Sequence, residues 1–218
     1  MRIKPLGLKK SGLTRGEWHE LKKLSNPQKI QNFLNLLPFN FEREGETHHS
    51  VRETLKSGRA HCFEGALVAA AALWIHGRRP LLLDLKTVRP DFDHVVALFR
   101  EGKYWGAVSK TNHSVLRYRE PIYRDVRELA ASYFHEYFLP DGKKTLRSFS
   151  KPFDISKYGI TPAGSGINWI TTKENLTELA HILDHSSHIQ ILSPKQAKNL
   201  RKADKIEINA TNIEEFKR

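Results

Sequence analysis

One thiol, one imidazole and one hydroxyl carry the chemistry that this sequence suggests. Cys62 is the only cysteine among 218 residues, and it stands in Gly58-Arg-Ala-His-Cys-Phe-Glu-Gly-Ala66, where a loop becomes a long apolar helix. The first turn of a helix presents unpaired N–H groups and a partial positive charge. That setting favours thiolate over thiol and makes the sulfur a better nucleophile at neutral pH. Further on, Asp91-Phe-Asp-His94 opens the apolar strand Val95–Phe99, and Lys103–Ser109 returns beside it. A two-residue turn at Glu101-Gly102 would pair Arg100 with Lys103 and set His94 opposite Ser109, on one face with Cβ atoms about 5 Å apart. A three-residue loop would put Lys110 there instead, and Asn112 is the other neutral partner for the ring. Cys62 as nucleophile, His94 as base and acid, and Ser109 or Asn112 as orienter are the parts of a thiol nucleophile system. The Cys62 N–H would be one oxyanion donor, and no second donor is identifiable. The plain alternative is a buried structural cysteine, because free cysteines are among the most buried residues.

The elements that must position these groups read as helices, then a mostly antiparallel sheet, then helices, an α+β order. Residues 1–13 read as a flexible arm and 14–218 as a single domain with a C-terminal helical extension. Thr14-Arg-Gly-Glu17 resembles a capping box that opens a helix through Leu24. Ser25-Asn-Pro27 restarts a helix whose apolar residues Ile30, Phe33, Leu34 and Leu37 follow helical spacing. Ser50 caps a short helix through Lys56. Cys62–His76 is apolar on nearly every side and predicts a central buried helix stopped by Gly77. Gly65, Ala66 and Ala69 would let it approach a sheet closely. Strands are expected at Leu81–Leu85, His94–Arg100, Lys103–Ser109 and Val115–Arg119. Helices are expected over Tyr123–Phe138, 174–185 and 194–202, with 141–168 mostly irregular.

Composition excludes several classes. One cysteine excludes an internal disulfide framework and any zinc site built from several thiolates, and it suits a reducing, cytoplasmic setting. With 39% hydrophobic and 28% charged residues the chain is too apolar for disorder. The basic N-terminus lacks a long apolar core, so no secretory signal is expected. No run of about 18 apolar residues predicts a membrane span. Lys and Arg number 36 against 24 Asp and Glu, giving a net charge of +12. Spread along the chain, that excess reads as solvated surface. Nucleic acid is therefore permitted as a partner but not favoured.

The order of these pieces resembles the core of the transglutaminase-like superfamily, the papain-like group of thiol enzymes. The matching residues are Cys62 opening a buried helix, Gly77 ending it, Pro80-Leu-Leu in the next strand, His94 starting a strand, and Trp105 in the return. The resemblance covers roughly residues 50–112. Two positions depart from the family pattern. Ala60 stands where the family has Gly, and Ser109-Lys-Thr111 stands where it has Asp-Pro-Thr. The resemblance implies a papain-like fold and amide cleavage or exchange through an acyl-thioester on Cys62, with His94 as base and acid. The family's orienter maps to Ser109, with Asn112 as a replacement. The implied acyl donor is a protein or peptide, and no cofactor or metal is implied. A basic surface could favour acidic substrates. The rival expectation is a catalytically impaired module on the same fold that binds protein or nucleic acid, motivated by the missing Asp and the charge.

Other constellations weigh less. His181, His185 and His188 could present three imidazoles on one helical face, as a catalytic zinc requires, but Asp184-His-Ser-Ser-His188 reads as a helix end that would splay His188 away. His48-His49 reads as surface rather than ligand, though it precedes the cysteine and could line a cleft. Asp93 should not touch the His94 ring, because neighbours in a strand face opposite ways. Asp84 in an apolar strand needs a partner, with a nearby Arg or backbone donor expected. Glu64 complements the helix dipole and, if unpaired, would oppose thiolate formation. Arg117-Tyr-Arg119-Glu-Pro-Ile-Tyr-Arg124 suits nucleic-acid contact in composition, but a strand with one basic and one apolar face is favoured.

Overall fold

A computed structural model of the chain describes residues 3–43, 45–158 and 168–211. Five helices come first: α1 (Leu8–Ser11), α2 (Arg15–Lys23), α3 (Pro27–Leu36), α4 (Val51–Ser57) and α5 (Cys62–Ile75). Thr14, Asn26 and Ser50 cap α2, α3 and α4 through their side chains, so local capping chemistry sets these starts. Then come β1 (Leu81–Lys86), β2 (His94–Glu101), β3 (Tyr104–Val108) and β4 (Arg119–Tyr123). The remainder holds α6 (Val126–Ser132), β5 (Ser148–Ser150), β6 (Phe153–Asp154), α7 (Thr177–Asp184), β7 (His188–Gln190), α8 (Pro194–Lys198) and α9 (Lys205–Thr211).

The strands form one open antiparallel sheet in the order β4-β3-β2-β1-β5-β7, with β6 beside β1. Alternation along the strands divides the core in two. Leu82, Ala97, Phe99 and Val108 join the cluster around α5, whereas Leu83, Leu85, Val96 and Leu98 join the one that holds α6. Helix α5 packs chiefly on β2. It is buried on every side after Cys62. Its close approach depends on Gly65, where an added Cβ would lie 2.5 Å from Cβ of Lys110.

Several expectations are corrected. Residues 3–13 are not a free arm. Leu6 and Leu13 are buried, and the N–H groups of Ile3 and Leu6 donate to the carbonyls of Gly77 and Trp74. No strand runs over Val115–Arg119. The chain turns there, with Leu116 at φ +60°, and β4 starts only at Arg119. The Tyr123–Phe138 helix is confined to α6 and a 3-10 turn at Phe134–Glu136. Strands β5 and β6 fall in the segment read as irregular, and β7 lies between the two expected C-terminal helices. The span 159–167 and the tail 212–218 lie outside the described residues.

Gly65→Ala places a methyl group against the buried Lys110 stem. Overpacking of this kind costs about 1–3 kcal/mol, more than alanine's helical preference returns. A lowered denaturant midpoint is expected in equilibrium unfolding, and an unchanged or raised one would contradict the close approach.

Candidate active site

The start of α5 is built around a buried carboxylate. The N-cap is His61, and its backbone N–H donates to Glu64 Oε2 at 3.0 Å. Glu64 has no exposed surface and accepts from Asn40 Nδ2 at 3.2 Å, Thr47 Oγ1 at 3.0 Å and the His49 N–H at 3.2 Å. Each of these groups is a donor, the arrangement an ionised carboxylate requires. Glu64 is thus paired, and it ties the loop around residues 40–49 to the first turn of α5.

Cys62 is partly exposed, on the wall of a cavity of about 620 Å³ that also takes in His61, His94 and Asn112. Burial pushes its thiol up, but hydrogen bonds from His61 and His94, together with their charges, outweigh burial and hold it well below the ordinary value. Cys62 and His94 thus line one cavity, with the imidazole near enough to depress the thiol.

His94 is buried, and its Nε2 lies 2.8 Å from Ser109 Oγ. The Ser109 hydroxyl has one proton and donates it to the Leu116 carbonyl at 2.5 Å. Toward His94 it can only accept, so Nε2 carries the ring proton and Nδ1 is left to face the sulfur. The contact arises from a different register than expected. The turn is Gly102-Lys103, with Glu101 paired to Tyr104 and Ala97 to Val108. Carried one step on, this sets Ser109 opposite Val96, two residues past His94 and on the same face, so the ring reaches the hydroxyl diagonally. Asn112 lines the cavity, but the hydrogen-bond partner of the ring is Ser109, on Nε2.

Ser109 is held from both sides. Gln31 on α3 donates from Nε2 to its carbonyl at 2.8 Å and accepts its N–H at Oε1 at 2.9 Å. Leu116, left-handed without being glycine, turns its carbonyl onto the hydroxyl while its N–H donates to Glu136 Oε2 at 2.8 Å. Such a conformation is costly and persists where the surroundings fix it.

Sequence reasoning assigned no role to His61, Gln31, Glu136 or Tyr137. The signals available were a second imidazole beside the thiol and a polar residue within the apolar face of α3. Tyr137 carried no signal. It lines the cavity, is 3% exposed, and its hydroxyl has no hydrogen-bond partner among the described residues. Burial and then the charge of Cys62 drive its ionisation far upward, so it is held as a neutral donor.

The competing constellations separate. His188 lies on β7, not on a helix with His181 and His185, and its Nε2 meets Asp84 Oδ2 at 3.1 Å. That imidazole, rather than an arginine or backbone donor, is the partner the buried Asp84 carboxylate needed. Burial pushes Asp84 up, and the hydrogen bond to Asp84 pushes His188 up. His181 and His185 stack on each other at 3.9 Å. Asp93 accepts from Thr87 N–H and Oγ1–H at 2.7 and 3.0 Å rather than touching the ring. Arg119 stacks 3.9 Å over Tyr133 and pairs with Glu136 at 2.6 Å, so it is an internal strut.

An unmet buried hydroxyl costs about 1–3 kcal/mol. Tyr137→Phe is therefore expected to raise the melting temperature by about 2–4 °C for each kcal/mol recovered. A clear fall in a thermal melt would show that the hydroxyl has a partner. The sequence matches no protein-family model and no curated protein.

Proposed function

We propose that the chain is a thiol-dependent amide hydrolase or acyltransferase on a transglutaminase-like, papain-like core. The observation that carries this reading is a partly exposed thiol at a helix start, held ionisable, beside an imidazole whose proton Ser109 fixes on the far nitrogen. The Cys62 thiolate attacks the amide carbonyl carbon. The Cys62 N–H would be one donor to the developing oxyanion. The C–N bond breaks, the amine leaves with a proton from an imidazolium, and a thioester remains on Cys62. Nδ1 of His94 then takes a proton from water or an acceptor amine, which attacks the thioester and releases the thiolate. Ser109 sets the tautomer as a neutral group, without the carboxylate expected at that position.

The cleft supports a substrate different from the one the net charge suggested. Glu42, Asp91 and Asp93 line it, beside a Glu136 already paired with Arg119, and Lys110 directs its Nζ to the Leu37 carbonyl at 2.6 Å. The exposed Phe92 and the Phe39–Phe41 pair add apolar wall. A peptide with apolar or cationic residues beside the reacting amide fits these walls better than an acidic one. The binding-module alternative has less support, because Arg119 is engaged internally. No helix among the described residues is long and apolar enough to cross a membrane.

With one cysteine, any thiol label reports on Cys62 alone. Iodoacetamide should alkylate the protein well below the pH at which an ordinary thiol ionises, and a rate that follows an ordinary thiol would contradict the reading. His94→Ala should slow acyl transfer from a p-nitrophenyl ester by about 10²–10⁴-fold in steady-state assay.

A further inference from the structure

The sulfur has two imidazole neighbours, and the proposed mechanism assigns only one of them a task. His61 is 8% exposed, and its Nε2 lies 2.8 Å from the Thr47 carbonyl. A carbonyl only accepts, so Nε2 carries a proton, and Nδ1, which accepts the Phe63 N–H at 3.3 Å, is the only other ring atom that can take the thiol proton. Two carboxylates stand behind the ring, with Glu64 Oε1 at 3.6 Å and Glu42 Oε1 at 3.8 Å from Nε2. His94 has a neutral hydroxyl behind it instead. The two rings are alike in tautomer and opposite in charge environment.

We propose that His61, backed by Glu64 and Glu42, is the cation paired with the Cys62 thiolate, so that the carboxylate missing behind His94 is supplied behind the other imidazole. This rests on Cys62 being the nucleophile. Other groups around the ring are the His48 ring, edge-on at 6.0 Å, His49, whose Nδ1 lies 3.0 Å from Glu64 Oε1, and His94 across the sulfur. Burial alone would push His61 down, but the hydrogen bond and charge of Cys62, then Glu64 and the Thr47 carbonyl, raise it to about 9.

The protons balance. At rest the thiol proton leaves Sγ for His61 Nδ1, which changes from accepting the Phe63 N–H at 3.3 Å to donating to the sulfur. During acylation Sγ bonds to the carbonyl carbon, the C–N bond breaks, and the amine leaves with the His61 proton. During deacylation His94 Nδ1 takes the proton of the attacking water. The released thiolate then passes that proton from His94 to His61, since both rings line the cavity beside it. The ion pair exists above the titration of the depressed thiol and is lost as the pH rises through about 9, where His61 gives up its proton.

The test is iodoacetamide alkylation of the full chain across pH, with p-nitrophenyl ester turnover alongside. His61→Asn keeps a good N-cap and removes the titrating ring. It should raise the apparent pKa of Cys62 by about one to two pH units and abolish the alkaline fall in turnover. Glu42→Gln, at a partly exposed carboxylate, should raise the pKa by less and serves if His61→Asn does not fold. His94→Gln should raise the pKa by less than His61→Asn does, while slowing turnover. A pKa that rises with His94→Gln and stays put with both His61→Asn and Glu42→Gln overturns this proposal and leaves the thiol enzyme standing. An ordinary thiol pKa in the unmodified protein overturns both.

Discussion

The buried carboxylate of Glu64 joins the fold to the site. A charge with no exposed surface is tolerated only when donors converge on it, and here they come from Asn40, Thr47, His49 and the backbone of His61. Three of those donors, from Asn40, Thr47 and His49, belong to a loop that would otherwise have little reason to lie against α5. By holding them, Glu64 fixes where the helix begins, and so where the Cys62 sulfur sits. It also stands behind the His61 ring, which couples the packing of the loop to the ionisation of the thiol.

The opposite wall is fixed by a different device. Ser109 is gripped through its backbone by Gln31 and through its hydroxyl by Leu116, whose left-handed turn is itself held by Glu136. The imidazole of His94 inherits its orientation from that chain of contacts. None of these groups is charged toward the ring, so this side can position His94 but does little to stabilise it as a cation. The two sides divide the work, with charge behind His61 and a fixed tautomer behind His94.

The apolar helix starting at Cys62 was legible in the sequence because every position along it except Glu64 is apolar or small. The β2–β3 hairpin was legible because apolar runs flank a glycine. The His94–Ser109 contact was read on a register two residues off. Both registers keep the same face, so the partner was right while the route was not. Strands β5, β6 and β7 were not legible, being two or three residues long and defined by distant partners such as Leu85, Leu82 and Phe149. His61 and Glu64 read as a flank and a dipole complement, because their meaning depends on the residue 40–49 loop folding back. The net charge of +12 misled about the cleft, whose own lining carries Glu42, Asp91, Asp93 and Glu136. A whole-chain sum says little about a wall formed by residues far apart in the chain.

The central claim is that Cys62 forms an acyl-thioester that the site then resolves. Intact-mass spectrometry after brief mixing with p-nitrophenyl acetate tests it directly. The account predicts one acetyl adduct, located on Cys62, that decays in the unmodified protein and persists in His94→Ala. A folded protein that gains no adduct on Cys62, or an adduct whose decay is indifferent to His94, would contradict it.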